Sequence, residues 1–211
     1  QVGKLVLADI ELDTFTLSPQ AVEEKITKDT RVLLPVHIFG LPAPMEDFYS
    51  LCQRYRLELV EDACQAHGAS IGTQKVGSFG QSASFSFYPS KTLGAFGDAG
   101  AVTTQSKSID ARIRRLRNHG QAGRHEHLEK GCNSRMDTFQ AAVLKVKLRF
   151  IDEWVEQQRL LASLYRQELN QVEGIQFQEQ PDAYHHSYYL IAARVERRSR
   201  LVEYLSKLGI E

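Results

Sequence analysis

The chain has 211 residues, with 26 Lys+Arg against 26 Asp+Glu and a formal net charge of zero. That balance argues against a general polyanion binder, which needs a basic surplus or a basic face, while 42% apolar and 25% charged residues is globular rather than disordered composition. No apolar run approaches the ~18–20 residues that span a bilayer, so neither nucleic acid nor membrane is an expected partner. The length predicts one large domain or one and a half. Cys52, Cys64 and Cys132 are too few and too far apart for a disulfide framework or a CxxC metal pair. They are expected to be small core residues in a reducing, cytoplasmic compartment. The opening Gln1-Val2-Gly3-Lys4 lacks both an initiator Met and the pattern of a signal peptide, and the chain reads as a fragment of a longer protein.

In chain order, Ser18-Pro19 opens a helix carrying Ala21, Val22, Lys25 and Ile26. Val32–Val36 is a strand-like run ending at His37. Pro44 then starts a helix with Met45, Phe48, Leu51 and Cys52 on one face. Leu57–Val60 is a second strand, ending at Glu61-Asp62, and this alternation is the grammar of a sheet covered by helices. Ile71–Gly77 reads as a hairpin or loop, Ala83–Phe87 and Gly100–Thr104 as strands. Ile109, Ile113 and Leu116 mark a helix whose Arg112, Arg114, Arg115 and Arg117 form a solvated face. From Asp137 to about Asn170 the pattern is that of one long or bent helix. Tyr188–Ala193 is strand-like, Leu201, Leu205 and Leu208 follow on a helix, and His185-His186 is expected at the surface.

Three features carry chemistry. Val60-Glu61-Asp62-Ala63-Cys64-Gln65-Ala66-His67-Gly68 places a carboxylate at the end of a buried strand, where open α/β sheets bind ligands. Asp62 there is either a helix N-cap or the holder of a cationic group such as a protonated ring nitrogen. Ser84–Gly94 sets Lys91 in a loop of small residues after a strand. It is either a solvated lysine or an amine made nucleophilic by a low-dielectric pocket, with Ser86 and Ser90 as hydroxyls for a phosphate. Gly94-Ala95-Phe96-Gly97-Asp98-Ala99-Gly100 has the spacing GxxGxxG and precedes a strand, so it is not a dinucleotide fingerprint. Its glycines are expected to permit tight turns beside the lysine.

Taken together, Pro35–Gly40, Glu61–Gly68, Phe85–Lys91, Gly94–Val102, Leu116–Gln121, Gly131–Asp137 and Gln140–Leu144 resemble, in register, the DegT/DnrJ/StrS group of nucleotide-sugar aminotransferases. The resemblance implies an α/β fold of the aspartate-aminotransferase type. Residues 1–148 would form part of a large domain with a mainly parallel central sheet that binds pyridoxal 5'-phosphate. Residues 149–211 would form a linking helix and the start of a smaller C-terminal domain. It also implies that a glycine-threonine loop and helix N-terminus cradling the cofactor phosphate, and the end of the small domain, lie outside this chain.

By that similarity Lys91 is the Schiff-base lysine and proton carrier, and Asp62 pairs with the pyridinium nitrogen. Gln65 lies against the ring and its 3′-oxygen, and Ser86 is a phosphate-binding hydroxyl. Asn133 and Arg135 belong to a loop reaching the site of a neighbouring subunit, which implies a homodimer with shared sites. His67 and Tyr88 are candidates for substrate contact, with a structural imidazole the alternative for His67. No metal is implied. The implied reaction moves an amino group, with glutamate as donor, onto a ketone of a nucleotide-linked sugar, a step of polysaccharide biosynthesis. The alternatives are a sugar dehydratase of the same group, in which histidine replaces the lysine, and a non-catalytic, truncated homologue. The presence of Lys91 counts against the dehydratase.

Overall fold

The computed structural model describes residues 3–210; Gln1, Val2 and Glu211 lie outside the described residues. Ser18 caps a short helix α1 (Pro19–Glu23), its Oγ accepting from Ala21 N at 3.3 Å, and the helix stops before Lys25 and Ile26. The Val32–Val36 run yields only strand β1 (Val32–Leu33) and a single bridge from Val36 to Asp62, because Pro35 breaks the ladder between them. Helix α2 (Met45–Tyr55) buries Met45, Phe48, Leu51 and Cys52 on one face, as their spacing predicts. Strand β2 (Glu58–Asp62) runs parallel to β1 and carries the polar pair Glu61-Asp62 to its C-terminal end.

The hairpin β3 (Ser70–Ile71) and β4 (Gln74–Lys75) follows, then β5 (Ser82–Ser86), β6 (Gly100–Thr103) and helix α3 (Lys107–Leu116). The central sheet has the order β1-β2-β5-β6, with β1, β2 and β5 parallel and β6 antiparallel to β5. A small ribbon, β7 (Gln121–Gly123) with β8 (Glu126–His127), leads to α4 (Thr138–Lys147). The expected long helix is bent: a 3₁₀ turn at Leu148–Phe150 separates α4 from α5 (Ile151–Leu169).

The remainder is β9 (Ile175–Phe177), β10 (Tyr184–His185), β11 (Ala193–Val195) and α6 (Arg198–Lys207), which ends just before Leu208. β11 pairs with β9, while β10 pairs back onto β3 of the hairpin.

The largest core cluster joins Val22 of α1 and Met45, Phe48, Leu51 and Cys52 of α2 to Leu33, Leu57 and Leu59 beneath them. A second, built from Ala63, Ala66, Ala69 and Val76, supports the turn after β2, and small side chains let that turn lie close against the sheet. A third, Leu93, Ala95 and Leu144, ties the loop after β5 to α4.

Three expectations are corrected. Residues 188–192 are not a strand. Leu190 N donates to Phe39 O at 3.2 Å, in a turn near the sheet that also accepts from the preceding Ser187 N at Gly40 O, 2.9 Å. Tyr188 also takes φ 46°, which no ladder accommodates. His186 is fully buried rather than exposed. Its Nδ1 accepts from Tyr188 N at 2.9 Å and its Nε2 meets Gln178 Oε1 at 3.0 Å, which replaces the water it gives up. Of the cysteines only Cys52 is buried. Cys64 is half-buried and Cys132 exposed, on a segment that pairs by its backbone along Leu116–His119. The arginines of α3 do form a mostly solvated face, paired with Asp110 and Glu129.

Candidate active site

The site is assembled at the C-terminal ends of β2 and β5, where neighbouring parallel strands release their chains on the same edge. Asp62 closes β2 opposite Ser84 of β5. No helix follows it: Asp62 Oδ1 accepts from Cys64 N at 3.0 Å, a turn that fixes one carboxylate oxygen and excludes the helix-cap role. Three residues on, Gln65 Oε1 accepts from Phe39 N at 2.8 Å. That bond assigns the amide: the oxygen is used by the protein and the NH₂ is left to donate elsewhere.

Ser86 ends β5, and its Oγ accepts from Tyr88 N at 3.3 Å. The chain then turns through Pro89 and Ser90, Lys91 N donates to Tyr88 O at 2.9 Å, and the lysine is half-buried. The glycine requirement beside the lysine is real at Gly94. A Cβ there would stand 2.4 Å from Pro89 O and 3.1 Å from Lys91 O. The same loop is held to α4, Phe96 N donating to Gln140 Oε1 at 2.8 Å and Lys147 Nζ to Gly94 O.

Lys91 is half-buried. Its Nζ lies 4.3 Å from the centroid of the Tyr189 ring, within cation–π range, and Tyr189 OH and Ser90 Oγ are 3.3 Å apart. Tyr189 was not singled out from sequence. It sits 99 residues from Ser90, inside a run whose pattern suggested a strand, and no local signal points it at the lysine. Gly40 is what lets it arrive. At φ +103°, a Cβ on Gly40 would lie 2.6 Å from Ser187 Oγ and 2.8 and 2.9 Å from the backbone nitrogens of Tyr188 and Tyr189.

His67 is 4% exposed, between the rings of Phe85 and Phe87 at 5.6 and 5.7 Å. Neither ring nitrogen has a hydrogen-bond partner among the described residues. Burial, reinforced by the positive charge of Lys91, pushes its pKa down to about 4, so it is neutral at pH 7. Burial also raises the neighbouring Cys64 thiol, with Asp62 adding to it and Lys91 opposing. Tyr88 is 54% exposed.

Asn133 and Arg135 lie apart. Both are exposed, on a segment that pairs with Leu116–Asn118 and not with the Lys91 cluster; Arg135 donates to Asn118 Oδ1. Among the described residues no group of acidic, histidine and cysteine side chains is arranged to hold a metal ion. Among the described residues no helix is long and apolar enough to cross a membrane.

A carboxylate and an amide at one strand end, with a lysine over the next, on a mainly parallel sheet, define a chain of the pyridoxal-phosphate aminotransferase fold. Comparison with known proteins bears this out. The chain belongs to the DegT/DnrJ/EryC1/StrS aminotransferase family, whose model matches residues 2–211.

It is 42% identical over 198 residues to the erythromycin biosynthesis sensory transduction protein EryC1 of Saccharopolyspora erythraea, covering 94% of this chain and 54% of that one. It is also 42% identical over 199 residues to the dTDP-3-amino-3,4,6-trideoxy-alpha-D-glucose transaminase of Streptomyces venezuelae, covering 94% and 52%. The crystal structure of S. venezuelae DesV in complex with a ketimine intermediate superposes with a TM-score of 0.94 at 42% identity, over 98% of this chain and 56% of that one. The chain thus spans about half the length of the curated relatives it matches.

Proposed function

We propose that this chain is the lysine-bearing part of a pyridoxal 5'-phosphate-dependent aminotransferase that places an amino group on a keto group of a nucleotide-linked sugar. The reading is supported by Asp62 at the end of β2, Gln65 three residues on and Lys91 in the loop after the neighbouring parallel strand β5, in a chain whose relatives include a dTDP-sugar transaminase.

The residues present fit the cofactor. Asp62 has one carboxylate oxygen committed to Cys64 N and, among the described residues, no hydrogen-bond donor on the other, which suits it to hold a protonated ring nitrogen. Gln65 has a free NH₂ to donate to a ring oxygen. Ser86 presents a hydroxyl that can serve a phosphate, and Lys91 an amine to hold the aldehyde carbon. When bound, pyridoxal phosphate supplies an electron sink that stabilises negative charge on a carbon that has lost its proton. The part of this chain in that chemistry is to keep the ring nitrogen protonated through Asp62, to orient the ring through Gln65, and to carry a proton on Lys91 Nζ. The Tyr189 ring lies against Lys91 Nζ, while Phe85 and Phe87 flank His67.

On this reading the donor is an amino acid, glutamate by family resemblance, and the protein works in the cytoplasm. Residues 1–148 belong to a cofactor-binding domain and 149–211 to a second one. The exposed Asn133 and Arg135 serve the site of a second copy in a homodimer.

The test is the absorbance spectrum of the purified chain with pyridoxal phosphate, followed by borohydride reduction and peptide mapping. The expected result is a visible band and a reduced adduct on Lys91 that is absent from Lys91→Ala. No band, or an adduct mapped to other lysines, overturns the proposal for this chain.

A further inference from the structure

The side chains of Glu61 and Asp62 leave β2 on opposite faces. Asp62 looks onto the proposed cofactor site, whereas Glu61 is fully buried behind it. Glu61 Oε1 accepts from Phe79 N and Gly80 N, both at 2.8 Å, and Oε2 accepts from Gly77 N at 2.7 Å. The remaining partner of Oε2 is His37 Nε2 at 3.1 Å, and His37 is also fully buried. Burial acts to raise the Glu61 carboxyl, but the hydrogen bonds from His37, Gly80 and Gly77 outweigh it and hold it below the usual carboxylate range. The His37 tautomer follows from geometry. Its Nδ1 accepts from Ala43 N at 3.0 Å, so the hydrogen is on Nε2 and is donated to Glu61.

This one imidazole therefore joins the back of β2 to both ends of the turn between residues 37 and 43. His37 N donates to Asp62 O at 3.0 Å and Asp62 N to Pro35 O at 3.0 Å, so the peptide units on either side of Asp62 are also held from this segment. Within the turn Phe39 adopts φ 59°, and its N–H is the donor that fixes the Gln65 amide.

We propose that His37 is a positioning residue for the Asp62–Gln65 pair: it locks the turn that presents Phe39 N to Gln65 and braces the strand end that bears Asp62. The inference rests on the reading of Asp62 and Gln65 as cofactor-binding residues. The chain of contacts Glu61–His37–turn–Phe39–Gln65 transmits the back face of the sheet to the front.

A double-substitution cycle on the full chain tests it, using His37→Gln, Gln65→Met and the pair, with pyridoxal phosphate as the probe. The readouts are its dissociation constant by absorbance, the ¹H–¹⁵N resonances of Phe39 and the Gln65 side chain without cofactor, and the melting temperature. His37→Gln keeps a donor toward Glu61 but loses the acceptor for Ala43 N. It should weaken cofactor binding by roughly 2- to 10-fold, the worth of one hydrogen bond, and shift the Gln65 amide resonances. Adding Gln65→Met should cost little more, because both act through one contact. Equal binding in His37→Gln and the unaltered chain, or fully additive effects, overturns the proposal. A purely structural role would lower the melting temperature while leaving the folded chain's dissociation constant and the Gln65 resonances in place.

If the His37 variant does not fold, Gln65→Met alone still decides. It must move the Phe39 N–H resonance, and an unmoved resonance refutes the coupling. Failure of the unaltered chain to bind pyridoxal phosphate would instead bring down the cofactor reading itself.

Discussion

Gly40→Ala offers a sharp test of how the far end of the chain reaches Lys91. Gly40 sits at φ +103°, where an L side chain is strained, and its added Cβ would fall 2.6 Å from Ser187 Oγ, 2.8 Å from Tyr188 N and 2.9 Å from Tyr189 N. Two of those atoms are backbone and cannot rotate away, so the 187–190 segment has to lift. The conformational part costs about 1–2 kcal/mol. Lifting the segment also gives up the bonds from Ser187 N and Leu190 N to the Gly40 and Phe39 carbonyls, each worth about 0.5–1.5 kcal/mol. The expected loss of stability is therefore about 2–5 kcal/mol.

Gly72→Ala is the internal control. Its φ is also positive, +54°, but its Cβ would meet nothing within 4 Å, so it should lose only the conformational part, about 1–2 kcal/mol. Urea unfolding of the three proteins measures the difference, and limited proteolysis locates it. Cleavage near residues 187–190 should rise in Gly40→Ala alone, together with loss of the Tyr189 contact on Lys91. Equal destabilisation by both substitutions would show that the close approach at Gly40 contributes nothing.

Three further outcomes are expected. Burial pushes His186 down to about 3 and His67 down to about 4 from an ordinary 6.5. Their stabilising contribution is present above pH 6.5 and is lost as the pH falls toward those values, because the unfolded chain then binds protons that the folded chain refuses. At about 1.4 kcal/mol per pH unit for each histidine, urea stability should fall by several kcal/mol between pH 7 and pH 5. A flat profile would contradict the burial of both rings. Thiol labelling with a disulfide reagent at pH 8 should modify exposed Cys132 first. Cys52, whose thiol burial and nearby Glu58 push up to about 11, should react only on unfolding. Lys91→Ala should leave the thermal unfolding of the chain close to that of the parent, since its ammonium makes one partly exposed ring contact, while removing the borohydride-trapped adduct.

Much of the fold was legible in the sequence because its signals are local. The spacing of Met45, Phe48, Leu51 and Cys52 encodes the buried face of α2, and Ile71–Gly77 encodes its own hairpin. The ordered motifs around Asp62 and Ser86 do fall at the ends of β2 and β5, with Gln65 and Lys91 in the loops that follow, the edge where a parallel sheet collects ligand-binding groups. What the sequence could not show depends on contacts between distant segments. Tyr188–Ala192 has strand composition, yet Tyr188 N is taken by His186 and Leu190 N by Phe39 O, so tertiary contacts override propensity there and the strand begins only at Ala193.

His186 reads as a polar surface residue until Gln178 and Tyr188 N supply the hydrogen bonds that let it be buried. The pairing of His37 with Glu61, 24 residues apart, and the seating of Tyr189 on Lys91 arise only when separate segments of the chain meet. The sequence by itself determined the chemical inventory and the strand ends that carry it, because those follow from short-range pattern and residue type. The orientation of each group was decided by the tertiary structure alone, because direction is set by partners that chain order does not bring together.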